Sequence, residues 1–422
     1  MYEKSILDNG LKVISYKMIQ RSSVGVGLWV KGGSRFEVEE NQGVAHFLEH
    51  LFFKGSKHYS CRQIKQSIEG VGGSINGFTS EEFCCYFVKI PYKHLSLALD
   101  ILIDMILNPL LLEDDINKER NVVLEEIKLY HDLPQNYVHQ LLDELLWPNH
   151  PLGRSILGTY ETINSLRRKD ILLFKENYYF PSSMVIAACG NLEHKELLER
   201  VKKHMPSVEI KKKINFQRIP HYSERPKVKI SKRNIEQIHL ALGFHGVSRT
   251  NRDRYALSIL HIILGANMSS RLFNEVREKK GLAYDIGTHV QFFLDSGSFV
   301  IHAGIDPKKI RLTLKVIIKE LEKISNTPPT LSELKRAKDY YLGQLSIFLE
   351  DTLEHMLWLG ENFISLDKII TFKEIEQKIQ RISTKEIMFL AKDIFIPHRR
   401  KLALVGPIEE EEKQISDYIS KL

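Results

Sequence analysis

The feature that most constrains the fold of this chain is a pattern that occurs twice along it. Phe180-Pro181, eight residues and Gly190-Asn-Leu-Glu193 in the first half match Ile396-Pro397, eight residues and Gly406-Pro-Ile-Glu409 in the second. Each copy follows an amphipathic stretch that predicts a helix, at 165–178 and at 383–394. A chain that repeats such a pattern in its second half is predicted to be a duplication of one structural unit.

Each half contains both strand-like and helix-like segments. Residues 11–31 alternate between apolar and other residues, which predicts two strands with one buried face, and residues 238–244 mirror the strand at 24–30. We therefore predict an α+β fold of two homologous domains, each a mostly antiparallel sheet packed by helices. A chain of 422 residues is long enough for two cores. We expect domains at 1–208 and 230–422, joined by a Pro- and Lys-rich linker at 209–229.

The stretch from Gly43 to Gly55 places two histidines and a glutamate inside an apolar run. A helix over 44–54 would put His46, Glu49 and His50 on one face, because positions i, i+3 and i+4 of a helix are neighbours. Two neutral imidazoles one turn apart can share a divalent metal, with the carboxylate beside them near the attacking water. The His-x-x-Glu-His order is the inverzincin signature.

A chance occurrence of this pentapeptide is the alternative interpretation. Three ionisable groups in an apolar helix are costly to bury unless they are paired or bound to a metal, so the setting favours a metal site. An apolar helix predicted at 255–264 falls at the corresponding place in the second half and lacks the pattern. The sequence therefore predicts a metal site in the first copy only.

A third metal ligand is needed, and the charged amphipathic helix predicted at 113–131 is the obvious source. It carries Glu119, Glu125 and Glu126. Zinc hydrolases commonly combine two histidines with a carboxylate and leave the fourth position to water. Without the helix at 44–54, this segment would be interpreted as an ordinary surface helix with ion pairs.

The glycine-rich segment 72–80 precedes the strand-like run 83–88. It is interpreted either as a plain turn or as an edge strand whose free N–H and C=O groups pair with an extended peptide. Its spacing alone leaves both interpretations open.

Composition excludes several other classes of protein. The net charge of +7 is mild for this length and the basic triplets are scattered, so we expect no nucleic-acid partner. No apolar run is long enough to span a bilayer, so we expect no membrane partner. The four cysteines lack C-x-x-C spacing, and the N-terminus lacks a leader pattern. These features predict a cytoplasmic protein; an organelle matrix, or export of a mature form, stays open.

The sequence resembles the insulysin/pitrilysin family of zinc peptidases over nearly its whole length. It most resembles the branch of shorter chains that includes the mitochondrial processing peptidase and its bacterial relatives. The family signature is His-x-x-Glu-His followed some 75 residues later by Glu, and here 75 residues separate His50 from Glu126. The segment from Glu119 to Glu126 also looks like the corresponding segment of the family.

This resemblance implies a role for each residue of the motif. His46, His50 and Glu126 would bind one zinc ion per chain, and Glu49 would be the general base that takes a proton from the attacking water. Glu119 would orient a ligand or the water. The segment containing Gly73, Asn76, Gly77 and Phe78 looks like the substrate-binding edge strand of the family, which usually has Ala where Gly77 stands.

In the second half, the segments 269–273 and 277–284 resemble the Arg/Tyr element of the family. The resemblance implies that Arg277 and Tyr284 reach the substrate carbonyl and the charge that forms on it. By position alone, Arg277 would be a surface cation and Tyr284 a core ring.

The resemblance implies an endopeptidase that encloses peptides or unfolded protein segments in a chamber. Relatives build that chamber from four such domains, and this chain has two. We therefore expect a homodimer, with a heterodimer containing an inactive sister chain as the alternative. A non-catalytic or partner-dependent subunit of a processing complex is the alternative function, and a hydrolase of non-peptide substrates is a third class that no residue supports.

Overall fold

The computed structural model describes residues 1–205, 214–220, 227–409 and 412–421. The chain divides into two compact units, each built from segments that are distant in the sequence. Unit 1 comprises residues 1–128, 155–217 and 346–371, and unit 2 comprises residues 129–154, 218–345 and 372–422.

The strands of the described residues follow one another along the chain as β1 (Tyr2–Ile6), β2 (Lys12–Lys17), β3 (Ser23–Val30), β4 (Ser74–Thr79), β5 (Cys84–Pro91), β6 (Met184–Gly190), β7 (Lys227–Lys232), β8 (Ile238–His245), β9 (Ala283–Phe292), β10 (Gly297–Ile305) and β11 (Lys401–Gly406).

The helices in the same part of the chain are α1 (Val44–Phe52), α2 (Cys61–Glu69), α3 (Leu95–Leu107), α4 (Glu113–Asp132), α5 (Pro134–Leu146), α6 (Tyr160–Ser165), α7 (Arg168–Tyr178), α8 (His194–His204), α9 (Arg254–Leu264), α10 (Ile310–Asn326), α11 (Leu331–Phe348), α12 (Thr352–Leu366), α13 (Phe372–Arg381), α14 (Thr384–Ile394) and α15 (Glu412–Lys421). None of these helices combines the length and the apolar composition needed to cross a membrane.

The sheets of the two units have the same topology. In unit 1 the strand order is β1-β2-β6-β3-β5-β4, and in unit 2 it is β7-β11-β8-β10-β9. The pairs β2/β6 and β7/β11 are parallel, and the other pairs in both sheets are antiparallel. Apart from the additional strand β1, the strand order of unit 1 matches that of unit 2 strand for strand. The predicted α+β fold with duplicated, mostly antiparallel sheets is confirmed.

Strand β3 is buried on both faces, so the prediction of one buried face was wrong for this strand. Its apolar residues at even positions, Val24 to Val30, pack into the main core of unit 1. The opposite face carries Trp29, which packs against α12. Helix α12 comes so close that a Cβ atom on Gly360 would lie 2.0 Å from Trp29 Nε1. Sequence alternation did not reveal this second layer because the helix that forms it lies more than 300 residues away.

Each unit thus contains a helix from the other half of the sequence. Helix α5 belongs to unit 2, and α12 belongs to unit 1. The predicted domain boundaries stay a prediction. Within the predicted linker, residues 209–213 and 221–226 lie outside the described residues, residues 214–220 form no helix or strand, and β7 begins at Lys227.

Candidate metal centre

Helix α1 begins at a fixed point because its first N–H groups have a buried partner. The carboxylate of Glu37, 5% exposed, accepts hydrogen bonds from the N–H groups of Gly43 and Ala45, each at 2.8 Å. A negative charge at this end also interacts favourably with the helix dipole. Gly43 has φ +90°, where a side chain would be strained. Glu37 and Gly43 together fix where the helix starts.

Helix α1 is held in place by its apolar side chains. Phe47, Leu48 and Leu51 are at most 1% exposed and belong to the main core of unit 1. This packing leaves His46, Glu49 and His50 on the remaining face of the helix, as the i, i+3, i+4 spacing predicts.

Helix α4 brings Glu126 to this face. The Glu126 Oε2 atom lies 3.7 Å from His46 Nε2 and 3.4 Å from His50 Nε2. The donor atoms of the three residues all lie within 4.8 Å of one another. Across the described ranges, this is the one set of three His, Cys, Asp or Glu residues with that property. Two imidazoles and one carboxylate match the ligand chemistry of zinc.

Glu119, which precedes Glu126 on α4, holds the second histidine, His50, in position. Its Oε1 atom lies 3.0 Å from Nδ1 of His50, and its Oε2 atom forms an ion pair with Lys54. Glu119 is 5% exposed. A carboxylate at Nδ1 fixes the orientation of the ring and leaves Nε2 facing Glu126. The adjacent Glu125 instead points outward, with a side chain 72% exposed that pairs with Lys128.

The charges in the site favour a cation among these residues. Burial, and to a lesser extent the neighbouring His50, lowers the pKa of His46 to about 4, so this imidazole is neutral at pH 7. Burial acts against protonation of His50, but hydrogen bonds to Glu119 and Glu126 raise the pKa of His50 to about 9. The hydrogen bond from His50 in turn lowers the pKa of Glu126. A positive charge between the carboxylates is therefore stabilised, and a divalent cation would supply it.

Glu49 lies beside these residues and contacts strand β4. It is 9% exposed, and its Oε2 atom accepts a hydrogen bond of 2.5 Å from the hydroxyl of Thr79. Burial raises the pKa of Glu49, while the Thr79 hydrogen bond and the charge of His50 act in the opposite direction. A buried carboxylate with a raised pKa is suited to taking up and returning a proton.

Strand β4 is the edge strand of the unit 1 sheet, next to β5. It contains Asn76, Gly77 and Phe78, while Gly73 directly precedes it. The Asn76 Oδ1 atom accepts a hydrogen bond of 2.9 Å from the N–H of Gly77. The Phe78 ring packs edge-on against Trp29, 5.7 Å between centroids, which ties the strand to the core. Of the two interpretations of segment 72–80, the edge strand is confirmed as structure; its partner stays a prediction.

Arg277 and Tyr284 lie next to each other in unit 2. The Arg277 guanidinium is 5.0 Å from the centroid of the Tyr284 ring and 4.8 Å from that of Phe273. Tyr284 is 78% exposed, so it is not a core ring. Arg277 belongs to a π-helical turn, Phe273–Glu278. Such turns are frequent at functional sites.

Three supporting residues were not identified from the sequence. Glu37 caps α1, Lys54 pairs with Glu119, and Thr79 contacts Glu49. Thr79 had a weak signal, because it ends the segment interpreted as an edge strand. Glu37 and Lys54 had none, because an acidic residue before a helix or a lysine after it is common.

Comparison with known families places both halves of the chain in one group of proteins. Residues 12–160 match the family described as Insulinase (Peptidase family M16), and residues 165–341 match the one described as Peptidase M16 inactive domain. The metal-site residues fall in the first match, and Arg277 and Tyr284 fall in the second.

Individual proteins are similar over almost the whole chain. A Bacillus subtilis protein named as the uncharacterized zinc protease YmxG is 35% identical over 96% of this chain and 98% of its own. An uncharacterized zinc protease of Streptomyces coelicolor is 32% identical over 97% of this chain and 90% of its own. The crystal structure of a protease from Helicobacter pylori covers 96% of this chain and 100% of its own with a TM-score of 0.89 at 24% identity, a likeness of fold.

Proposed function

The chain belongs to the insulinase peptidase family (M16), and from that premise we propose that it is a zinc-dependent endopeptidase acting on peptides or unfolded protein segments. The observation that carries this proposal is the grouping of His46, His50 and Glu126 within 4.8 Å, with Glu49 on the same face of α1. The proposed stoichiometry is one zinc ion per chain.

The residues present fit such an ion. His46 Nε2, His50 Nε2 and Glu126 Oε2 would hold it, and three protein ligands leave a position for water. The Nδ1 atom of His46 is buried without a hydrogen-bond partner among the described residues. Nε2 is the ring nitrogen that faces another candidate metal ligand, Oε2 of Glu126. When bound, zinc would supply Lewis acidity toward the attacking water and the peptide carbonyl.

The side chains around the ion would handle protons and charge. Glu49 would accept the proton of the attacking water through its carboxylate and pass it to the leaving amine. Glu119 would hold His50 in orientation through Nδ1. Arg277 and Tyr284 would donate hydrogen bonds to the oxygen that becomes negative as the carbonyl is attacked.

The substrate proposal rests on strand β4. An extended peptide can add to the free edge of a sheet through main-chain hydrogen bonds, with little dependence on side-chain identity. Asn76, which holds the N–H of Gly77, would have to release it to an incoming carbonyl. The peptidase would then prefer substrate segments that are already unfolded.

We also propose that the working form is a homodimer in which the metal centre of one subunit acts with Arg277 and Tyr284 of the other; a heterodimer with an inactive sister chain is the alternative. Mixing Glu49→Gln chains with Tyr284→Phe chains tests this arrangement. Shared sites predict that mixed dimers recover activity. Verified mixing without recovery would count against sharing.

The central test is cleavage of a pool of unstructured peptides by the purified chain, followed by mass spectrometry. Glu49→Gln should keep zinc and lose turnover. Glu126→Gln should lose zinc as well, whereas Glu125→Gln, the outward-facing neighbour on the same helix, should retain zinc and activity. Equal behaviour of the Glu125 and Glu126 variants would refute the ligand assignment.

A partner-dependent subunit of a processing complex is the runner-up function. It predicts a zinc-loaded chain that cleaves nothing alone and gains activity when a second chain is added. Activity of the isolated chain that is abolished by chelation would exclude it.

A further inference from the structure

The hydrogen bond between Thr79 and Glu49 joins two elements that are separate in the sequence. Thr79 is the last residue of β4, and Glu49 lies on α1. The 2.5 Å separation of Thr79 Oγ1 and Glu49 Oε2 is at the short end for a hydroxyl donating to a carboxylate. Among the described residues, Thr79 is the one donor of a hydrogen bond to the Glu49 side chain.

We propose that Thr79 is a positioning residue for the proposed peptidase reaction, holding Oε2 of Glu49 so that Oε1 is the oxygen that faces the attacking water. This inference rests on Glu49 being the general base. A glutamate side chain has three rotatable bonds, and ordering it without a partner costs conformational entropy at every turnover. Because the Thr79 hydroxyl occupies Oε2 of the Glu49 carboxylate, Oε1 is the oxygen left to accept the proton.

Thr79 is itself held in place. It pairs with Cys84 across the β4–β5 ladder, and the Cys84 thiol lies 3.5 Å from Thr79 Oγ1. Cys84 is fully buried, and the carbonyl of Gly32 is a second acceptor within reach of its single S–H, at 3.3 Å. The hydroxyl of Thr79 therefore lies between a rigid core residue and the carboxylate. A group fixed in this way can impose a geometry on Glu49.

The same strand contacts Glu49 a second time. Residues 77 and 79 lie on one face of β4, because successive side chains of a strand alternate. A Cβ atom on Gly77 would lie 3.4 Å from Cγ of Glu49. Strand β4 thus contacts Glu49 through one face, and the same strand is proposed to pair with substrate through its free edge. Thr79 would keep the base at a fixed distance from a peptide that adds to that edge, which is the condition for a short path of proton transfer.

Three substitutions separate the hydroxyl from the bulk of Thr79. Thr79→Val has nearly the same shape without the hydroxyl, Thr79→Ala removes both, and Thr79→Ser keeps the hydroxyl alone. Losing a hydrogen bond to a charged group predicts a fall in kcat of about 10- to 100-fold for Val and Ala. KM and zinc content should stay at wild-type values, all three variants should be folded at the assay temperature, and Ser should retain kcat within about threefold.

The outcomes distinguish this inference from the proposed function. Loss of kcat in Val and Ala with rescue by Ser supports the inference. Wild-type kcat in Thr79→Val or Thr79→Ala, beside an inactive Glu49→Gln, would overturn the inference alone. A loss of kcat in Ser as large as that in Val would show that the hydroxyl alone does not sustain kcat, and a change confined to KM would place Thr79 in substrate pairing; either result overturns the inference. An active Glu49→Gln, or an inactive zinc-loaded wild type, would overturn the proposed function and the inference together.

Discussion

Protonation of His355 on α12 is predicted to weaken the packing of this helix against the rest of unit 1 at acid pH. His355 is 3% exposed, and its two ring nitrogens have different partners. Nδ1 lies 3.0 Å from the carbonyl of Leu349, which can only accept, so Nδ1 carries the hydrogen. Nε2, 2.9 Å from the Tyr2 hydroxyl, then accepts a hydrogen bond. Both bonds are satisfied by the neutral ring. A proton on Nε2 would turn this acceptor into a donor, so the Tyr2 hydroxyl would have to reverse its role in the bond.

Burial lowers the pKa of His355 from 6.5 to about 4. The unfolded chain therefore takes up this proton first as the pH falls. The contribution of His355 to stability is fully present above pH 6.5 and is lost as the pH falls toward 4. The loss between pH 7 and pH 4.5 amounts to about 2.5 kcal/mol, which is large against the usual net stability of a domain.

The assay is urea unfolding at pH 7 and at pH 4.5, followed by tryptophan fluorescence. A Trp147→Phe background leaves Trp29 and Trp358, both in unit 1, as the reporters. His355→Gln cannot titrate, so its stability should change less between the two pH values, by about 2.5 kcal/mol relative to the parent chain. His398→Gln, at an exposed histidine of unit 2, controls for a histidine-to-glutamine change made outside unit 1. Identical pH dependence in His355→Gln and the parent chain would refute this reasoning.

Three further predictions concern the elements around the site. Glu119→Gln should weaken zinc binding about 10- to 100-fold, because His50 loses its charged partner, as measured by competition with a chromophoric chelator; unchanged affinity would contradict this. Glu37→Ala should cost about 1–2 kcal/mol of stability through loss of the α1 cap, measured by urea unfolding, and a neutral effect would show that the cap is dispensable. Gly360→Ala should cost about 1–3 kcal/mol or more, because its Cβ would lie 2.0 Å from Trp29 Nε1. Unaltered unfolding of that variant would mean that α12 moves freely.

The local features of this protein follow from the sequence alone. The predicted helix at 44–54 is present as α1, and the helices predicted at 113–131 and 255–264 are present as α4 and α9. The repeated pattern predicted the duplication, since matched segments fold into matched strands, β6 and β11. The shared face of His46, Glu49 and His50 follows from helix geometry over five residues. These features depend on neighbours within one or two turns, which a sequence pattern records directly.

Features that depend on contacts between distant segments were decided only by the tertiary structure. Helix periodicity did not distinguish Glu126 from Glu125, whereas packing of α4 turns Glu126 toward the histidines and Glu125 toward solvent. Spacing likewise could not show that Thr79 reaches Glu49. The burial of the second face of β3 depends on α12, which unit 1 takes from the far end of the chain. Each of these contacts forms where two helices or strands pack together. The periodicity of one helix or strand does not encode where its packing partner lies.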